Sequence, residues 1–212
     1  MTTDIVVGSI RDIAQKNEQS IAETFLGVNH VALVDTSGSM IASDSRDGKT
    51  RYDVACEELA HLQKTLPGEV AVISWSDSAI FCPSGVPTML NSMTNMAAAL
   101  KFAKVADLPG VTFYLISDGE PTCSEEKVLQ LAKSYTAKIN GIFVGPEDEC
   151  GGRNFLIEVA RVSGGTMTTA DCADGLATSI LLLSDGSEQK PWNTFLQNST
   201  HGINKTNEGA PW

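Results

Sequence analysis

A chain of 212 residues with 42% hydrophobic side chains is long enough to bury a substantial core, and it suits one domain of ordinary size with appendages. Its 26 acidic against 15 basic residues leave a formal charge of -11, which argues against a nucleic-acid-binding face or attachment to an anionic membrane. No run approaches the roughly 20 apolar residues of a membrane span, and Asp4 stands where a signal peptide would carry bases, so the expected location is cytoplasmic.

In chain order, Ile10 to Leu26 reads as a helix, with Ile10, Ile13, Ala14, Ile21 and Phe25 roughly on one side. It packs on the domain edge or docks a partner, and Gly27 ends it. Val31 to Val34 is an uninterrupted aliphatic run, which predicts a strand buried on both faces. Asp35-Thr36-Ser37-Gly38-Ser39 follows at its C-terminal end, the edge at which open α/β sheets bind ligands. One carboxylate and two hydroxyls without a soft donor suit a hard divalent cation. Residues 41 to 49 form a polar loop, in which Asp44 and Asp47 read as solvated side chains that shape the field near the site, since EF-hand spacing fails. Thr50 to Asp53 has the form of a capping box, and Tyr52, Ala55, Leu59, Leu62 and Leu66 continue at helical spacing.

Glu69 to Trp75 predicts a second buried strand. Ala79 to Cys82, only a short turn later, must run antiparallel to it at the sheet edge. Thr94-Asn95 opens an alanine-rich helix, Met96 to Ala106. Val111 to Ile116 is another two-face apolar strand, and Ser117-Asp118-Gly119-Glu120-Pro121 closes it as Asp35 closes the first. Two neighbouring strands at a topological switch point would bring both carboxylates to one crevice. Ser124 then caps a helix carrying Val128, Leu131 and Tyr135. Lys138 to Val144 reads as a strand, Asn154 to Val162 as a helix, Gly165 to Thr169 as a strand and Ala173 to Leu183 as a closing helix. The alternation predicts a doubly wound α/β domain with a mostly parallel sheet, helices on both faces and one antiparallel edge strand. It divides as a helical extension over 1–27, the domain over 28–183, and an irregular tail over 184–212. That tail is disordered, or pinned by Trp192, Phe195 and Trp212. The five cysteines, Cys56, Cys82, Cys123, Cys150 and Cys172, are scattered without a C-x-x-C pair and read as reduced thiols.

Asp35-x-Ser37-x-Ser39, then Thr94 before a helix, then Asp118 in Asp-Gly-Glu-Pro, resembles the von Willebrand factor A (vWA) domain with its metal-ion-dependent adhesion site, of the intracellular bacterial or phage-like type. The resemblance runs from about Val28 to Leu183; Ser92-Met93 stand where many members have glycines. It implies that Asp35, Ser37, Ser39, Thr94 and Asp118 hold Mg2+, with Mn2+ or Ca2+ as alternatives. In the family the hydroxyls ligate directly, the aspartates act partly through water, and a position is left for a partner's Asp or Glu. It further implies a non-catalytic protein-binding module, an adaptor or subunit of a larger assembly such as those containing AAA+ ATPases.

Each of these residues also has an ordinary explanation: Asp35 and Asp118 as strand-end caps, Ser37 and Ser39 as turn residues, Thr94 as a helix N-cap. Two further functions stay open. One is Mg-dependent phosphoryl transfer with Asp35 as nucleophile, although Ser37 stands where such phosphatases carry a second acid. The other is a vWA scaffold with a structural metal that binds partners through its tail. His30, His61 and His201 fall in a strand, a helix and the tail, and neither a G-x-S-x-G elbow nor a dinucleotide fingerprint is present.

Overall fold

β1 (His30–Asp35) lies inside a six-stranded sheet, flanked on both sides by parallel neighbours and buried along its whole length. The computed structural model describes residues 5–119, 121–146 and 150–169. The sheet runs β3-β2-β1-β4-β5-β6, with β2 (Val70–Trp75), β3 (Ala79–Phe81), β4 (Thr112–Ser117), β5 (Lys138–Phe143) and β6 (Met167–Thr169). All pairings are parallel except β2 with β3, where the short connection forces the chain to turn straight back. From β1 the chain builds outwards through β2 and β3, then returns to place β4 on the other side of β1. The switch point therefore lies between β1 and β4, and their C-terminal ends frame a crevice.

Alternation along the strands feeds two cores. Val31, Leu33, Phe113 and Leu115 face one side, where α4 (Met96–Ala103), α5 (Glu125–Lys133) and α6 (Cys150–Val162) bring Leu100, Val128 and Leu156. Ala32, Val34, Tyr114 and Ile116 face the other, against Val54, Ala55, Leu59 and Leu62 of α3 (Arg51–Thr65). Leu33, Phe113 and Leu115 are fully buried, each contributing about 1.5–3 kcal/mol of apolar transfer. This is the doubly wound α/β architecture that the alternation predicts.

The helix expected over Ile10 to Leu26 is in fact two, α1 (Ile10–Lys16) and α2 (Ile21–Phe25). Glu18 takes a left-handed φ of 54°, and Ser20 restarts the chain with a full capping box: its Oγ accepts from the Glu23 amide while Glu23 accepts from the Ser20 amide. Ile10 of α1 reaches the core, and Phe25 of α2 packs edge-on against Phe81 of β3, with ring centroids 5.5 Å apart. The alanine-rich helix ends at Ala103 and tightens into a 3₁₀ turn, Lys104–Ala106. α6 starts at Cys150 rather than Asn154. Among the described residues Cys56, Cys82 and Cys123 are free thiols, and no helix is long and apolar enough to cross a membrane. The predicted helix over Ala173 to Leu183, the tail and Glu120 lie outside the described residues, as does Cys172.

Candidate metal centre

Parallel pairing in register fixes the first two carboxylates. Val34 pairs with Ile116, so Asp35 ends β1 beside the exit of β4, where Ser117 and Asp118 follow. Asp35 is fully buried and both of its oxygens are engaged. Oδ1 accepts from the Ser37 amide at 2.9 Å, and Oδ2 accepts from the Ser117 hydroxyl at 2.7 Å. Ser117 Oγ in turn accepts from the Gly119 amide at 2.9 Å. One serine thus ties the two strand ends together, a role unrecognised in the sequence although it immediately precedes Asp118.

The two hydroxyls after β1 sit side by side, Ser37 Oγ and Ser39 Oγ 3.2 Å apart, with Ser37 buried and Ser39 exposed at the rim. Ser37 precedes a 3₁₀ turn, Gly38–Ile41, yet makes no side-chain cap to it. The loop before α4 is bonded to the same turn: Gly38 donates to the Ser92 carbonyl at 2.9 Å and Asn91 to the Thr36 carbonyl at 2.9 Å. This brings the Thr94 segment to the crevice. Thr94 is buried, and its carbonyl accepts from the Thr122 amide at 2.9 Å, which binds it to the loop after β4. The cap of α4 is Asn95, whose side chain accepts from Ala98. The ordinary explanation of Thr94 as that cap therefore fails.

Asp118 is fully buried at the far side. Its Oδ2 accepts from Arg51 Nη1 at 2.8 Å, while Oδ1, also buried, meets no hydrogen-bond donor among the described residues. Gly119 follows with φ +79°, and a Cβ there would stand 2.1 Å from the Gly152 carbonyl oxygen of α6. The backbone after Asp118 is thus seated directly on the first turn of α6.

Two residues outside the expected metal-holding set complete the surroundings. Arg51, in the first turn of α3, bridges inwards to Asp118 and outwards to Asp44, whose two oxygens accept from Nε and Nη2, both at 2.8 Å. Asp44 is therefore half of an ion pair rather than a freely solvated loop carboxylate. Arg51 holds it below its ordinary carboxylate range.

Charge in the crevice is unbalanced. Burial foremost, and then the neighbouring Asp118 charge, push Asp35 up to about 6 against the hydrogen bonds from Ser117 and Ser37 that favour its ionised form. Two buried carboxylates face one buried guanidinium. An unsatisfied, buried carboxylate oxygen is destabilising unless something electropositive meets it. Among the described residues no three His, Cys, Asp or Glu side chains gather as a carboxylate-rich or imidazole-rich centre would require. The candidate donors are instead the carboxylates of Asp35 and Asp118 and the hydroxyls of Ser37, Ser39 and Thr94, all hard oxygens, a set that fits a magnesium-like ion rather than a soft metal.

No family model and no curated protein sequence matches the chain. Solved structures do. An aerotolerance-related membrane protein from Bacteroides fragilis, carrying multiple mutations to serine, superposes with a TM-score of 0.60 at 18% identity, over 79% of this chain and 99% of its own. The conserved hypothetical protein BatB from Bacteroides thetaiotaomicron gives 0.56 at 15% identity, over 75% of this chain and 100% of its own. A manganese-loaded TRAP protein from Plasmodium vivax gives 0.51 at 16% identity, over 70% and 71%. At these identities the likeness is one of fold, and the fold is vWA-like.

Proposed function

We propose that this chain is a non-catalytic, divalent-metal-dependent protein-binding module, with Asp35, Ser37, Ser39, Thr94 and Asp118 as the metal-holding set. The observation that carries the reading is the buried, unpartnered Oδ1 of Asp118, in a crevice otherwise lined by oriented hydroxyls and a second carboxylate. The manganese carried by the TRAP protein of the same fold supports it. Mg2+ or Mn2+ held there would supply an electrophilic position for the carboxylate of a partner's Asp or Glu.

The chain's own residues do the rest. Ser117 and the Ser37 amide hold Asp35 in place. Arg51 occupies one oxygen of Asp118 and leaves the other for the ion. Neutral hydroxyls add ligands without adding negative charge, so an acidic partner is not repelled at the site itself. Ile41 and Met93, both more than half exposed, stand on the two loops that carry Ser39 and Thr94. The partner's acidic residue would therefore be flanked by apolar side chains. An adaptor role in a larger assembly, such as one with an AAA+ ATPase in the cytoplasm, belongs to the same proposal.

The test is calorimetric titration of Mg2+ and Mn2+ into chelator-treated protein, with Asp118→Ala as control, followed by metal-dependent capture of peptides containing Asp or Glu between apolar residues. Saturable one-site binding that the variant loses supports the proposal. No metal uptake, with or without acidic peptide, overturns it.

A further inference from the structure

Arg51 stands between two carboxylates in very different surroundings. Its own side chain is 9% exposed, that of Asp118 1%, and that of Asp44 43%. Solvent therefore screens the outer pair strongly and the inner pair weakly, so the guanidinium charge is felt mainly towards the crevice. Charge counting then gives a definite result. Counting only the buried groups, Asp35, Asp118 and Arg51 sum to minus one when ionised, and the half-exposed Asp44 adds a further negative charge that solvent partly screens. Among the buried groups a divalent cation brings the sum to plus one, and a single incoming carboxylate brings it to zero. Without Arg51 the same steps give zero and then minus one.

We infer that Arg51 is a specificity-determining residue: it weakens the site's hold on the metal alone, leaves the metal-loaded crevice one charge more positive towards the partner than it would otherwise be, and so makes an anionic partner the condition of tight binding. The inference rests on the metal-dependent reading above and assigns regulation of that same site. Arg51 acts through Asp118 and through the field, since its Nη1 already occupies Oδ2 and its other nitrogens grip Asp44. Asp44 is the outer control: it draws part of the guanidinium charge away from the crevice, so neutralising Asp44 returns that charge to the metal site.

The experiment measures Mn2+ affinity by calorimetry and by the loss of free-ion electron paramagnetic resonance signal, in saturating acetate and, at equal ionic strength, in acetamide. It compares the wild type with Arg51→Met, Arg51→Gln, Arg51→Lys and Asp44→Asn. Wild type should bind Mn2+ markedly tighter in acetate than in acetamide. Arg51→Met and Arg51→Gln should bind Mn2+ alone about tenfold tighter and lose most of the acetate effect. Arg51→Lys, which keeps the charge, should keep the acetate effect. Asp44→Asn, at a half-exposed position, should weaken Mn2+ alone about threefold and enlarge the acetate effect. It carries the test if the Arg51 variants do not fold. Weaker Mn2+ binding in the neutral Arg51 variants with the acetate effect intact, or an Asp44→Asn protein indistinguishable from wild type, overturns the inference while metal binding stands. A wild type that takes up no Mn2+ in either medium overturns the metal-dependent reading itself and this inference with it.

Discussion

The two ends of β1 bury a titratable group each, and only one of them gathers the groups of the proposed metal site. His30, at the entering end, is 7% exposed, and burial pushes its imidazole down to about 4 against the charge of Glu69. Its neighbour is Tyr114, whose hydroxyl lies 3.4 Å from Nδ1, with ring centroids 5.9 Å apart. Asp35, at the leaving end, is buried completely but pushed the other way, and it stands among hydroxyls and a second carboxylate delivered by other loops. Burial of an ionisable group does not by itself mark function. Convergence of like donors from several segments, with one of them left unsatisfied, is what singles out the Asp35 end as the candidate.

The largest expected effect separates these ends directly. Asp118→Ala should weaken Mg2+ and Mn2+ binding by about 100-fold or more, whereas His30→Gln should leave it unchanged, as read by calorimetry. Equal losses would erase the distinction. Next comes the backbone under the site. Gly119→Ala places a Cβ against the Gly152 carbonyl at a left-handed φ and should destabilise the fold by about 4 kcal/mol in urea unfolding. Wild-type stability there would mean that α6 yields readily.

The third test uses pH on metal-free protein. The folded His30 imidazole is lowered from its ordinary 6.5 to about 4, so the unfolded chain takes the proton first. Its contribution is full above about pH 6.5 and is lost as pH falls towards 4, a swing of about 3 kcal/mol. Asp35 is raised from 3.8 to about 6, so there the unfolded chain releases its proton first, and stability falls as pH climbs through that window. Unfolding free energies of wild type, His30→Gln and Asp35→Asn between pH 4 and 7 should show opposite slopes for the two differences. Slopes of one sign would refute the contrast. The smallest effect concerns adjacent residues: Asn95→Ala should lower stability by about 1 kcal/mol with metal affinity intact, and Thr94→Ala should do the reverse.

Much of this was legible in the chain because it is local. Asp35 and Asp118 end apolar runs, and an aliphatic strand reads the same wherever it is packed. The antiparallel edge followed from the shortness of the turn before Ala79. The break at Glu18 was also legible, since Ser20 and Glu23 form a capping box in the middle of the apolar stripe, but a periodic pattern outweighed it. Arg51, Asp44 and Ser117 were another matter. Arg51 meets Asp118 across 67 positions and Ser117 meets Asp35 across 82, and such pairs exist only once the topology is closed. A serine beside a strand-end aspartate and an arginine after a helix cap each have commonplace local explanations, so their joint role emerged from three-dimensional placement alone.

The same long separations make the crevice a reporter of folding. Asp35, Thr94 and Asp118 come from segments joined by crossover connections, and no unfolded chain presents them together. Any ligand that requires all three binds the native state alone. Added at 100 times its dissociation constant, it would deepen the native basin by about 2.7 kcal/mol and raise the melting temperature in proportion to the logarithm of its concentration.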